Sequence, residues 1–211
     1  MPGIILERIV VGPVQSNCYI LAIKGTDQAV IIDPGDEEAK IRKVLTKHNL
    51  NPGIIINTHG HYDHIGSDGE FKVAIYIHQA DLAFLKEPGL NLSGFFAPQS
   101  FALEDAVIKT VQEKDIISFE GIKLEVIHLP GHTPGGIGLL LKEPVGNILF
   151  TGDSLFCEGI GRTDFPGASE DALIGSIKGK LFKLPDETII YPGHGPSSTI
   201  KREKEHNPYL I

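Results

Sequence analysis

Three histidines and an aspartate fall within six positions of NTHGHYDHIG (residues 57–66), directly after the apolar run of residues 53–56. Crowding of this kind constrains a fold strongly, because imidazoles packed together add little to a core. Two ordinary readings compete with a functional one: a solvated histidine-rich loop, or hydrogen-bonded histidines filling polar gaps. Spacing separates them. In an extended segment alternate side chains share a side, so His59, His61 and Asp63 are expected to converge while His64 turns off at the next position. Neutral imidazole and carboxylate are the usual nitrogen and oxygen donors for zinc, iron and manganese, and four of them in six residues can begin two adjacent metal sites.

Three later positions share one grammar, each following an apolar strand-like run and sitting beside glycine or proline. They are His132 in HLPGHTPGG, Asp153 in ILFTGDSLF and His194 in IIYPGHGP. A loop at a strand end is held by a stiff scaffold yet leaves room for a substrate, and glycine lets the backbone pass close to a metal. Any one of these positions is weak evidence. Together with the first cluster they point to a metal centre.

The rest of the chain sets the frame. Its 211 residues are read as one domain spanning 1–211, and no apolar run approaches the roughly 20 residues that a membrane helix needs. The start, MPGIILERIV, carries Glu7 and Arg8 inside its apolar run and lacks the basic start and cleavage site of a secretory signal, so a soluble, cytoplasmic protein is expected. Cys18 and Cys157 are too few for a disulfide framework. A net charge of −8, with the basic patch Lys201, Arg202 and Lys204 interleaved with Glu203 and Glu205, disfavours nucleic acid as a partner.

Along the chain, residues 4–33 alternate apolar stretches with turn chemistry and read as a β-meander. Residues 37–49 place Ile41, Val44, Leu45 and His48 at helical spacing, with Asp36 available as N-cap. Strands follow at 53–56 and 73–77, then a short helix near 79–86. Residues 90–101, LNLSGFFAPQSF, have no clean period and read as an irregular loop that covers a site or lends its aromatics to the core. A second β-rich half begins with IISFEGIKLEVIHL, in which Glu120-Gly121 marks a hairpin, and continues through GIGLLL and NILFTGD. Ser169 caps a second helix with Leu173, Ile177 and Leu181 as its buried stripe. The strand ETIIY (187–191) leads to His194, and a last helix covers about 198–206. Two successive halves of strands and helices predict two sheets packed face to face with helices outside, an α+β sandwich rather than a doubly wound sheet.

The set THGHYDH, GHTPGG, TGDSLF and YPGHG resembles the metallo-β-lactamase superfamily, and the tail from GRTDFPGAS through YPGHGPSSTIKREKEHNPYL is most similar to small single-domain relatives of glyoxalase II. The resemblance implies a four-layer αββα sandwich of two mixed sheets and two divalent metal ions, zinc foremost, with iron or manganese as alternatives. Carried over position by position, one metal takes His59, His61 and His132, the other takes Asp63, His64 and His194, and Asp153 bridges them, with Asp63 and Asp153 the carboxylates engaged in catalysis. Asp33, in IIDPG, matches a position that supports the site without binding metal, or it serves as a turn cap. A counterpart of the C-terminal helical domain that grips glutathione in full-length glyoxalase II is not expected here.

The activity implied is hydrolysis of a small-molecule thioester, S-lactoylglutathione-like, or a related ester, with a metal-bridging hydroxide as nucleophile. Tyr62 either faces the substrate mouth or packs inward. Arg162 either holds a substrate carboxylate or pairs with Asp164. His48, His78, His128 and His206 lack the strand-end glycine setting and fall outside the site. A persulfide dioxygenase with one iron on His59, His132 and Asp153 is the alternative, since the same motifs and the GRTDF stretch resemble that family as well. A nuclease fits the acidic balance less well. Oligomeric state is not written in the residues.

Overall fold

The computed structural model describes residues 3–143 and 146–211. The first half runs β1 (Ile4–Val11), β2 (Ser16–Ile23), β3 (Gln28–Ile32), α1 (Glu38–Lys47), β4 (Asn51–Ile56), α2 (Tyr62–Ile65), α3 (Asp68–Phe71), β5 (Ala74–His78), a 3-10 helix (Gln79–Leu85), α4 (Ser93–Phe96) and β6 (Ile108–Val111). The second runs β7 (Ile116–Phe119), β8 (Ile122–His128), β9 (Ile137–Glu143), β10 (Gly146–Gly152), β11 (Leu155–Phe156), β12 (Gly159–Ile160), α5 (Glu170–Lys180), a 3-10 turn (Leu181–Lys183), β13 (Ile189–Pro192), β14 (Ser198–Thr199) and α6 (Ile200–His206). Each half builds one six-stranded sheet, ordered β1-β2-β3-β4-β5-β6 and β14-β13-β10-β9-β8-β7.

Both sheets are mixed. The opening meander β1-β2-β3 is antiparallel, and β3 through β6 then pair in parallel because α1, the segment of α2 and α3, and the segment of the 3-10 helix and α4 each return the chain to the same end. In the second sheet only β10 and β13 are parallel, joined through α5.

Strand alternation divides the apolar residues among three cores. On β2, Tyr19 and Leu21 face the second sheet and pack with Leu124, Val126, Leu139 and Phe150. Cys18, Ile20 and Ala22 face the other way, toward Ile41 and Leu45 of α1. On the outer face of the second sheet Leu140 and Leu149 meet Leu173, Ile177 and Leu181 of the α5 stripe, with Ile200 of α6. Helix, sheet, sheet and helix therefore form four layers, the α+β sandwich expected from the sequence. Among the described residues, no helix is long and apolar enough to cross a membrane.

Local detail departs from the expectations in places. Asp36 does not cap α1: its Oδ1 accepts the adjacent Glu37 N–H at 2.6 Å, Glu37 takes a left-handed φ of 50°, and no side chain caps the helix. His48 ends that helix rather than joining its buried face, with Nε2 placed 2.5 Å from Glu7 Oε1. The loop at 90–101 contains the short helix α4. The last helix starts at Ile200, because Ser198 and Thr199 first pair with β13 and Thr199 then accepts the Arg202 N–H as N-cap. Ser169 caps α5 as expected, accepting the Ala172 N–H. The Glu120-Gly121 hairpin has φ values of 44° and 86°, the left-handed pair that a tight two-residue turn demands.

Candidate metal centre

Four of the seven candidate donors sit on loops that follow strands, and these strands end on the same rim of the sandwich. His59 follows β4, His132 follows β8, Asp153 follows β10 and His194 follows β13. The two sheets are tied together at this rim: Asn17 N–H donates to Gly193 O at 2.7 Å, Ser16 bridges His194, and Tyr19 O–H donates to Pro192 O at 2.7 Å. Gly193 is required beside the donors, since a Cβ there would lie 2.1 Å from Asp153 Oδ1 and 2.8 Å from His64 Cε1.

The seven donors form three overlapping groups: His59, His61 and His132; His59, His64 and Asp153; Asp63, His64 and His194. Within them His61 Nδ1 lies 2.9 Å from His132 Nε2, His194 Nε2 lies 3.2 Å from Asp63 Oδ2 and 3.5 Å from Asp153 Oδ2, and His64 Nε2 lies 3.4 Å from Asp153 Oδ1. The alternation argument misplaces Asp63. The chain leaves the extended conformation at His61 and enters α2, so Asp63 groups with His64 and His194 rather than with His59 and His61, while His64 also shares a group with His59 and Asp153.

These residues fit divalent metal ions on chemical grounds. His64 Nδ1 lies 3.0 Å from Asp33 Oδ2 and His132 Nδ1 lies 2.7 Å from Arg162 O, partners that each accept an N–H and so turn the lone pair of the opposite ring nitrogen into the cluster. There His59 Nε2, His64 Nε2 and Asp153 Oδ1 are buried without any hydrogen-bond partner. Three orphaned polar atoms converging on one space is costly unless a cation occupies it. Burial, reinforced by the neighbouring imidazoles, pushes His59 and His61 well below the usual histidine range and keeps them as neutral donors. His64 is held well above that range: burial opposes its charge, but Asp63, Asp153 and Asp33 outweigh it. The negative field that favours a proton there favours a metal cation equally.

Asp33 is fully engaged. Besides facing His64, it accepts the Thr58 N–H at 2.7 Å and the Thr58 O–H at 2.6 Å, from a left-handed φ of 52°. Tyr62 lines the cavity above the donors. Arg162 lines it too, but its fork is taken up by Asp164 at 2.9 and 2.7 Å and its guanidinium lies 4.3 Å from the Phe165 ring centre. His78 and His128 stack on each other, with ring centres 4.0 Å apart, outside the donor groups.

One residue with a structural part in the site escapes a reading of the sequence. Asp81, buried in the 3-10 helix after β5, accepts the Gly60 N–H at 3.0 Å, the Thr133 O–H at 2.7 Å and the Gly135 N–H at 2.6 Å. One carboxylate thus fastens the loop carrying His59 and His61 to the loop carrying His132. Its strand-end position was the only available signal, and it lacks the flanking glycine of the others.

The cavity over the donors measures about 490 Å³. The imidazoles of His59, His61, His64 and His132 are buried, whereas Asp63, Asp153 and His194 are only partly covered, so the opening lies on the carboxylate side. Such a floor can hold two cations and present them to a small substrate.

A family model described as the metallo-beta-lactamase superfamily matches residues 11–194. The chain is 38% identical over 218 residues to the hydroxyacylglutathione hydrolase GloC of Haemophilus influenzae, covering 97% of each chain. Among solved structures it is similar to the BLEG-1 B3 metallo-beta-lactamase, with a TM-score of 0.91, 33% identity and coverage of 98% of this chain and 99% of that one. TTHA1623, solved in a di-iron-bound form, gives a TM-score of 0.83 at 34% identity over 97% and 100%. ETHE1 from Myxococcus xanthus gives 0.78 at 28% identity over 98% and 84%.

Proposed function

The chain belongs to the metallo-β-lactamase superfamily, and from that premise we propose that it is a metal-dependent hydrolase cleaving a small thioester or a related ester. The observation that carries the reading is the convergence of seven donors in overlapping groups, with orphaned lone pairs, on the floor of an open cavity. His59, His61 and His132 would hold one divalent ion, Asp63, His64 and His194 the other, with Asp153 between them. When bound, such a pair supplies an acidified water at neutral pH and a Lewis acid for the carbonyl oxygen.

The chain's own residues do the rest. Asp33 and the Arg162 carbonyl fix the tautomers and ring planes of His64 and His132, so the donors are oriented before substrate arrives. Hydrolysis consumes one water: its oxygen joins the acyl carbon, and the C–S bond breaks with its electron pair on sulfur. A thiolate whose thiol has a pKa of about 8.5 leaves without needing a proton, which suits a site whose carboxylates and imidazoles are all committed as donors. Tyr62, held above the ordinary phenol range chiefly by burial, keeps its proton and offers an O–H to the substrate.

The likeness to ETHE1 and the GRTDF stretch support a second reading, an oxygen-using enzyme with one iron on His59, His132 and Asp153. That reading leaves the Asp63, His64 and His194 group without a task. Metal content by mass spectrometry on protein purified without added metal, with thioester hydrolysis and persulfide-dependent oxygen uptake assayed on the same sample, separates the two. Two equivalents with thioester cleavage are expected. Asp153→Asn is expected to lower occupancy and abolish turnover with the fold intact, and retention of both two-metal occupancy and activity in that variant would overturn the assignment.

A further inference from the structure

The walls of the cavity carry information that its floor does not. Over the His61 and His132 side stand Leu92, Phe96 and Phe165, with the Phe165 ring centre 5.6 Å from that of His61 and 6.3 Å from that of Phe96. Over the His194 side stand Phe156, 6.1 Å from the His194 ring centre, and Pro13 and Val14 of the turn that leads into Ser16, the residue that bridges His194. Each end of the donor cluster therefore has its own apolar wall. Two of these side chains are also open to solvent, Phe96 at 58% and Val14 at 46%, a costly exposure for a surface that has nothing to cover it.

Charge points the same way. Among the described residues lining the cavity, Arg162 is the only lysine or arginine, and its Nε and Nη2 already donate to Asp164. The Arg162 guanidinium also lies over Phe165 and so is held against the wall. A glutathione conjugate brings two carboxylates and one ammonium, and neither carboxylate finds a free cation on this wall.

We infer that the thioester this site takes is uncharged and apolar on both sides of its scissile bond, an aryl or branched-alkyl acyl group on a neutral thiol, rather than a glutathione conjugate. The inference rests on the hydrolase reading for the bond that is cleaved, but the binding preference stands on the walls alone. An aryl acyl group packs against the edge-to-face pair of Phe165 and Phe96, while the thiol half runs along Phe156 and Val14. The GloC relative is named for a glutathione substrate. Its likeness to this chain concerns overall sequence, whereas substrate choice is set by the wall residues.

The test crosses two acyl groups with two thiols: S-lactoyl and S-benzoyl esters of glutathione and of N-acetylcysteamine, with kcat/KM measured on the metal-loaded protein. S-benzoyl-N-acetylcysteamine is expected to exceed S-lactoylglutathione by tenfold or more, and Phe96→Ala and Phe165→Ala are expected to reduce that advantage at least fivefold through KM. In parallel, calorimetry on metal-free protein compares two uncleavable thioethers, S-benzyl-N-acetylcysteamine and S-benzylglutathione. Tighter binding of the neutral thioether, weakened by either phenylalanine variant, supports the inference. Preference for the glutathione compound in either experiment, or indifference to both variants, overturns it. Preferential binding of the neutral thioether with no cleavage of any of the four esters would overturn the hydrolase reading and uphold the apolar ligand.

Discussion

Asp33 shows how much a single carboxylate can set in order. Its two oxygens receive the Thr58 N–H, the Thr58 O–H and the Nδ1 side of His64, so the start of the histidine loop and the aim of one donor depend on it. An asparagine keeps the shape but offers only one accepting oxygen. Asp33→Asn is accordingly expected to weaken metal binding by roughly 10- to 100-fold in chelator competition, with far-UV circular dichroism unchanged. A change below twofold would reduce Asp33 to a turn residue. The sequence made Asp33 visible through the IIDPG turn, and it made every candidate donor visible through residue type and strand-end setting. It concealed two things at this scale. Strand alternation alone put Asp63 with His59 and His61, since nothing in HYDHIG announces the helical turn; its place beside His64 and His194 was expected only from the family resemblance. Asp81 acts by joining Gly60 to Gly135, and those glycines become neighbours only in the folded chain.

At the scale of elements, the 3-10 helix that carries Asp81 begins with a titratable cap. His78 Nδ1 accepts the Ala80 N–H at 3.2 Å, and the ring stacks on His128. Burial, followed by the His128 charge, lowers His78 from 6.5 to about 4, so the folded protein excludes a proton that the unfolded chain binds. The stability carried by neutral His78 is complete above pH 6.5 and is lost as pH falls through 4. At pH 4.5 the loss, reduced by solvent screening, is on the order of 1 kcal/mol, or roughly 2–4 °C in Tm for a chain of this size. Asparagine can supply the capping oxygen without titrating, so His78→Asn is expected to lose that much less Tm than the parent between pH 7 and 4.5 in scanning calorimetry. Equal losses would remove His78 from the account. Strands and the longer helices were legible because apolar periodicity is local. Helix starts were less so: whether Asp36 bonds the next N–H or caps α1 depends on Glu37, whose carboxylate is drawn off to Gly12 and Lys40.

For the whole molecule, the donor groups draw on both sheets, with His59, His61, Asp63 and His64 from the first half and His132, Asp153 and His194 from the second. A bound cation therefore clamps the halves together, and its removal should lower stability well beyond the site. With metal at about a hundredfold over Kd the linkage is worth about 2.7 kcal/mol, so a strong chelator is expected to lower Tm by about 5–10 °C in calorimetry. An unchanged Tm would mean that the donors hold nothing structural. The two-sheet sandwich was legible in the succession of strand-rich halves. The strand order was not, because nothing local says that β13 inserts beside β10 and takes β14 as its outer neighbour. The tether between Asn17 and Gly193 has a temporal side. A ribosome adding about 5–20 residues per second releases His59 through His64 on the order of ten seconds before His194. Through that interval the nascent chain carries a partial chelator with its closing strand unmade. An ion bound in that interval would be held by fewer ligands than the folded site offers, until β13 is in place and the contacts of Asn17 and Tyr19 with Gly193 and Pro192 close the rim.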